Sequence, residues 1–309
     1  MSWLSDLWNK IMHRTAEMPA AQNNGGKPMK RALLVGINAY PGCPLQGCVN
    51  DVNNMRNLLV SKYGFGFSTD ICVLTDGQAT TSNILAKLKW LVAGAKPGDT
   101  ILFHYSGHGA QTPTSDPSSP TPGLYDCICP VDFDWSTQHM ITDKQFVQIF
   151  GQLPSGVIFN WLSDSCHSGD LDRNFGLLGR SQTFFGKLWN RIFPKKHQDA
   201  PKAMPIPPAI HAAIARIKKA GTASRGIVNG QLEVGFISGC KSDQTSADAY
   251  INGQHCGALT TYFLTCLKAA AANTSLSQLT QTIVQKLDAD GYEQEPQCSG
   301  TRQNSPFLG

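Results

Sequence analysis

Two short segments hold the residue types that nucleophilic catalysis needs. His104-Tyr105-Ser106-Gly107-His108-Gly109 and Asp164-Ser165-Cys166-His167-Ser168-Gly169 set histidine and cysteine among glycines and small polar residues. A thiol near an imidazole is an activated nucleophile, because the thiolate attacks while the histidine manages the protons. The adjacent glycines allow tight turns and close backbone approach. Backbone N–H groups of Gly109 and Cys166 are then candidates to receive an oxyanion. Taken singly, each segment is weak: a buried cysteine is commonly a small hydrophobe, and His-Gly is commonly a turn. The chemistry requires that the two meet.

The elements around them provide a way. RALLVGI (31–37) reads as a buried strand, followed by a helix over 51–62 with Val52, Met55, Leu58 and Leu59 on one face. ICVLT (71–75) is a second strand. A helix over 81–93 follows, with Thr81 or Ser82 at its cap. TILFHY (100–105) is a third strand and VIFNWL (157–162) a fourth, joined through an irregular, proline-rich loop at 111–123 and a helix over 143–152. The pattern resumes with VGFISG (234–239) and helices near 258–271 and 276–288. This alternation predicts an α/β fold: a mostly parallel sheet covered by helices on both faces. Sites in such sheets form where loops leave the carboxyl ends of strands, here 38–51, 104–111, 163–173 and 240–257. The histidine and cysteine segments leave the third and fourth strands at the same edge.

HYSGHG (104–109) and DSCHSG (164–169) closely resemble the histidine and cysteine motifs of the metacaspases, a peptidase family of the caspase-like clan. ALLVGINAY with GCVND (32–40 and 47–51) is similar to the start of that family's large subunit, and ICPVDF (128–133) to its mid-region. GFISGCKSDQTSADA (235–249) resembles its small-subunit motif. The resemblance spans roughly 31–172 and 234–300. It implies a caspase-like fold, Cys166 as nucleophile and His108 as general base and acid. It also implies a recognition pocket for Lys or Arg before the cleaved bond, built from Asp51 and Asp164 with Cys48 and Ser106 as polar walls. Two carboxylates at the mouth of such a pocket attract a cation and repel an aspartyl side chain. The competing role for Asp51 is the N-cap of the following helix.

Many members of the family are activated by calcium bound outside the active site. Asp172 and Asp143 match aspartates of that kind. Lys144 takes the place of a second one, and Asp126 lies in a stretch one residue shorter than usual. Calcium is thus a candidate activator, with a row of solvated carboxylates as the alternative; the chemistry itself requires no cofactor. His104 and His108 stand four apart, but a strand-to-loop setting argues against a zinc pair.

The 309 residues carry a net charge of +4, unevenly spread. Residues 173–225 hold eleven Lys and Arg against Asp199 alone, a net +10, which leaves the remainder at −6. A short amphipathic stretch leading into AEMPAAQNNGGKP marks residues 1–29 as an amphipathic segment and linker. The resemblance implies 30–309 as one peptidase domain: a large-subunit region 30–172, a small-subunit region 226–309 and, between them, the basic insert 173–225. The insert is too long for an ordinary connection. In the family this junction is self-cleaved in some members, and Arg180, Lys196 and Arg225 are candidate positions. A regulatory loop and a polyanion-binding patch are the competing readings. Leu7-Trp8-Asn9-Lys10-Ile11-Met12 recurs as Leu188-Trp189-Asn190-Arg191-Ile192-Phe193, which suggests two short amphipathic helices docking on one kind of surface. The other reading of that echo is chance.

No run reaches the roughly 18 apolar residues of a membrane span, the N-terminus makes a poor signal peptide, and the ten cysteines form no paired C-x-x-C set. Reduced thiols in a cytoplasmic protein are expected, with no nucleic-acid partner; the resemblance implies a monomer acting on protein or peptide substrates. The sequence thus points to an Arg/Lys-specific cysteine endopeptidase made as a zymogen. The rival from another class is a catalytically silent caspase-like interaction module.

Overall fold

The computed structural model describes residues 27–115, 123–166, 199–219, 233–241 and 244–309. Its centre is a six-stranded sheet. The strands are β1 (Lys30–Gly36), β2 (Ile71–Thr75), β3 (Thr100–Ser106), β7 (Ile158–Asp164), β9 (Gly235–Ser238) and β12 (Gln297–Ser299). Their order is β12-β9-β7-β3-β1-β2, parallel throughout except for β12, which runs antiparallel to β9. The mostly parallel sheet read from the sequence is therefore observed.

Strand alternation divides the core into two layers. Leu33, Val35, Ile101, Phe103, Phe159 and Trp161 face one side. There they meet α2 (Thr81–Val92) and α3 (Asp143–Phe150) through Ile84, Leu88, Phe146 and Phe150. Ala32, Leu34, Leu102 and Leu162 face the other side, against α1 (Cys48–Tyr63), α5 (Ala258–Ala269) and α6 (Leu276–Asp290). Both faces of the central strands are thus apolar, which accounts for their continuous aliphatic runs. Trp161 is 1% exposed and packs among Phe103, Phe146 and Phe236.

Side chains set the helix starts. Thr142 and Gln145 form a reciprocal capping box on α3, as Ser275 and Gln278 do on α6. The cap of α2 is Thr80, one residue before the expected Thr81 or Ser82. Helix α1 starts at Cys48, three residues ahead of the expected start, with Gly47 at its cap position and no side-chain cap of its own. A distant carboxylate serves instead: Asp248 accepts from Gln46 and Gly47 N–H. Asp51 lies inside the first turn, so the N-cap alternative for it is overturned.

Periodicity did not reveal the smaller sheets. β4 (Gly109–Pro113), β5 (Leu124–Ile128) and β6 (Ile141–Thr142) form an antiparallel sheet, so the supposedly irregular loop opens as a strand. β8 (Ala200–Pro201), β10 (Ala247–Ile251) and β11 (Gln254–Gly257) form another. These strands are short and their alternation is masked by polar residues. The basic insert also contributes α4 (Pro208–Lys219). No helix among the described residues is long and apolar enough to cross a membrane, and all ten cysteines are free.

Candidate active site

The expected meeting of the two segments follows from strand register. β3 and β7 are direct neighbours, and Ser106 pairs with Asp164 at their carboxyl ends. His108 and Cys166 each lie two residues beyond that pair, on the same rim.

The histidine is held tightly. Its backbone N–H donates to the Tyr40 hydroxyl (3.1 Å), and its carbonyl accepts from the Tyr105 hydroxyl (2.7 Å). The ring lies 4.5 Å from the Tyr40 ring, centroid to centroid. Nε2 sits 2.8 Å from the Cys43 carbonyl oxygen, while Nδ1 has no hydrogen-bond partner. A carbonyl only accepts, so Nε2 carries the proton and Nδ1 presents its lone pair. Burial pushes the His108 pKa down to about 4, which keeps the ring neutral. Cys166 is fully buried, and its Sγ receives the Ser246 N–H.

A segment of the basic insert fills the cleft between them. Strand β8 pairs antiparallel with β10, Pro201 opposite Ala247, and Lys202 N–H donates to the Ser246 carbonyl (2.9 Å). The Lys202 carbonyl then accepts from both Gly109 N–H (3.2 Å) and Cys166 N–H (3.1 Å). The main chain of Lys202 also lies beside the His108 ring. Beyond it, Met204 N–H donates to the Gly109 carbonyl (3.0 Å). The two N–H groups nominated from the sequence as oxyanion donors thus converge on one carbonyl oxygen.

The Lys202 side chain runs into a closed, charged recess. Nζ lies 3.1 Å from Asp51 Oδ2, 3.2 Å from Asp164 Oδ2 and 2.9 Å from Ser106 Oγ, with Lys202 and Asp164 at 0% exposure and Asp51 at 1%. Each carboxylate has further partners. Asp51 accepts from Ser106 Oγ (2.6 Å) and Gly257 N–H (2.8 Å). Asp164 accepts from Ser246 Oγ (2.6 Å), Thr260 N–H (3.0 Å) and Thr260 Oγ1 (2.8 Å). The two acids therefore divide. Burial, with the neighbouring Asp164, lifts Asp51 to about 6 despite Lys202. Burial also opposes ionisation of Asp164, but Lys202 and the Ser246 and Thr260 donors outweigh it and hold that carboxyl below its usual range. Lys202 is likewise penalised by burial, yet Asp164 and Asp51 raise it well above an ordinary lysine. Cys48 and Ser106 border the recess, and burial raises the Cys48 thiol strongly. Gly257 forms part of its wall: a Cβ there would collide with Asp164 Oδ2, Lys202 Nζ and Asp51 Oδ2.

Other expectations fare differently. Asp126 and Asp143 flank the register pair Cys127–Thr142 and are both buried. Asp126 accepts from Gln111 Nε2 (2.7 Å), and Lys144 follows Asp143 directly. These two carboxylates do not by themselves furnish the six to eight oxygens calcium takes, and no group of three metal-ligating side chains occurs among the described residues. Asp172, Arg180, Lys196, Arg225, His167 and both copies of the repeated segment lie outside the described residues. His104 is fully buried with Nδ1 against the Leu162 carbonyl (3.3 Å). Sequence reasoning missed Lys202, Ser246, Thr260 and Gly257. Lys202 was one of eleven basic residues in the insert. The only local signal was its place in an extended, proline-flanked stretch, Ala200-Pro201-Lys202-Ala203-Met204-Pro205.

A doubly wound α/β sheet with a thiol and an imidazole at adjacent strand ends defines the caspase-like class of cysteine peptidases. Residues 30–172 match the family model described as metacaspase, peptidase C14 domain. Metacaspase-1 of Scheffersomyces stipitis is 36% identical, with 87% of this chain aligned to 70% of that protein. Metacaspase-1 of Meyerozyma guilliermondii is 35% identical over 88% and 69%. The crystal structure of GSU0716 from Geobacter sulfurreducens superposes with a TM-score of 0.63 at 23% identity, covering 91% of this chain and 98% of that one, a likeness of fold. The chain belongs to the metacaspase family of cysteine peptidases.

Proposed function

We propose that the protein is an endopeptidase that cleaves after Lys or Arg through Cys166 and His108, and that its first substrate is its own Lys202–Ala203 bond. One observation carries this reading. A single residue of the chain offers its ammonium to Asp51 and Asp164 and its carbonyl to Gly109 N–H and Cys166 N–H. Those are the contacts a bound substrate residue would make. Each carboxylate attracts the ammonium by about 5 kcal/mol at ~3 Å and an effective dielectric near 20; desolvation of three buried charges offsets much of it. An aspartyl side chain in that recess would gain nothing and add a third negative charge.

The reaction follows from the contacts. His108 Nδ1 takes the Cys166 proton, and Sγ attacks the Lys202 carbonyl carbon. The oxygen becomes an oxyanion held by the Gly109 and Cys166 N–H groups. The intermediate collapses as His108 returns the proton to the Ala203 nitrogen, releasing the new amino terminus and leaving a thioester. Water, deprotonated by His108, hydrolyses the thioester. The covered cleft supports a zymogen whose insert must leave before another peptide binds. Ten unpaired thiols support a cytoplasmic setting.

Matched fluorogenic peptides ending in Arg, Lys or Asp test the specificity, and intact-mass analysis of the stored protein tests self-cleavage. Wild type should turn over the Arg and Lys peptides and split after Lys202, and Cys166→Ala should do neither. Preference for the Asp peptide would overturn the pocket. Equal fragmentation of Cys166→Ala would remove the nucleophile and leave the silent-module reading.

A further inference from the structure

Cys240 has no part in the chemistry above, yet its Sγ lies 3.8 Å from Cys166 Sγ. The approach is built into the sheet. β7 and β9 are parallel neighbours with Ser163 opposite Ser238, so the loops carrying Cys166 and Cys240 leave the same rim side by side. Both sulfurs rest on one stretch of chain: Cys240 Sγ donates to the Gln244 carbonyl (3.2 Å), and Cys166 Sγ is held between the N–H and carbonyl of Ser246. Cys166 is fully buried, whereas Cys240 is partly exposed and packs, as Ile206 does, against the buried cluster of Cys166 and Ala203.

We propose that Cys240 is a resolving thiol for Cys166, so that peroxide converts the active site into a reversible Cys166–Cys240 disulfide. Attack of the Cys166 sulfur on hydrogen peroxide gives a sulfenic acid and water. The Cys240 sulfur then displaces the hydroxyl, which leaves as a second water with the Cys240 proton, and the S–S bond forms. A cellular dithiol reverses the step, returning two thiols and becoming a disulfide itself. The sulfurs must close from 3.8 Å to ~2.05 Å, a movement within reach of two loop residues. Contact with Cys166, together with burial, holds the Cys240 thiol well above its ordinary pKa. It therefore keeps its proton until the sulfenic acid is beside it. The product would block the nucleophile and spare it from irreversible sulfinic oxidation. The inference rests on Cys166 being the nucleophile, but disulfide formation is read independently of peptidase activity.

Trypsin provides that readout. Residues 145–173 and 226–241 are tryptic peptides with one cysteine each, Cys166 and Cys240. The full chain is treated with hydrogen peroxide, alkylated, digested without reductant and analysed by mass spectrometry. The expected result is a linked 145–173/226–241 pair in wild type that dithiothreitol removes, and none in Cys240→Ser or Cys240→Ala. Peptidase activity lost to peroxide should return with dithiothreitol in wild type, and at least roughly tenfold less of it in either variant, where Cys166 passes to sulfinic acid. Sulfinic Cys166 in wild type without the linked pair would overturn the proposal. So would equal recovery in the variants. A linked pair in a protein that cleaves no peptide would uphold the thiol pairing while ending the peptidase reading.

Discussion

The Lys202 ammonium lies 3.2 Å from the Asp164 carboxylate, and neither side chain is reached by solvent. Breaking such a buried pair by removing one partner typically costs about 3–5 kcal/mol, because the charge left behind has lost its solvent. Here two carboxylates would be left facing each other. Lys202→Met should therefore expel the 199–204 segment from the cleft and abolish self-cleavage at this bond, while Lys202→Arg should retain it. Mass analysis of the purified variants checks both outcomes; a Met variant still cut after residue 202 would contradict the assignment.

Asp51 and Asp164 should both matter for cationic substrates. Loss of a charge-assisted hydrogen bond costs about 1.5–3 kcal/mol, so Asp51→Asn and Asp164→Asn should each lower kcat/KM for an Arg peptide by roughly 10- to 100-fold. The Asp164 variant should be the more damaged, since that carboxylate also organises Ser246 and Thr260. Steady-state kinetics on peptides differing only in the residue before the cleaved bond decides this. Equal losses on a neutral peptide would point to general misfolding.

Gly257→Ala tests the shape of the recess. The backbone there is ordinary extended chain (φ −70°, ψ 132°), so alanine introduces no conformational strain. Its methyl group would occupy the space of the Lys202 Nζ and both acidic oxygens. A folded protein with circular dichroism like wild type, no self-cleavage and at least roughly tenfold lower kcat/KM for Lys peptides is expected. Undiminished turnover would show that the recess does not take the substrate side chain.

Acid should destabilise the fold. Burial holds His104 and His108 at about 4 against 6.5 in the open chain. Between these values the unfolded chain binds more protons, so each histidine withdraws stability as pH falls through the window, by up to ~3 kcal/mol. Asp51 acts oppositely. Raised from 3.8 to about 6, it keeps a proton in the fold that the unfolded chain has released, and this contribution is lost as pH rises through 6. Two histidines outweigh one carboxylate. The Tm of Cys166→Ala, which cannot digest itself, should hold above pH 6.5 and fall between about pH 6 and 4.5. A Tm that climbs on acidification would contradict the burial of these rings.

The sequence by itself determined the strand and helix alternation, the parallel sheet and the single rim that carries both His108 and Cys166. Those features are local: aliphatic runs, helical periodicity and glycine-flanked motifs fix them without reference to distant residues. The motifs also carried Asp51 and Asp164. What occupies the space between those acids was decided only by the tertiary structure. Nothing in the composition of the insert distinguishes Lys202 from its ten basic companions, because its role comes from register. Pro201 opposite Ala247 sets the Lys202 side chain over the acids and its carbonyl over two N–H groups. Likewise Gly257, Ser246 and the 3.8 Å approach of Cys240 to Cys166 arise where strands far apart in the chain end side by side. Charges and thiols acquire meaning only once a low-dielectric interior brings them within a few ångströms of one another.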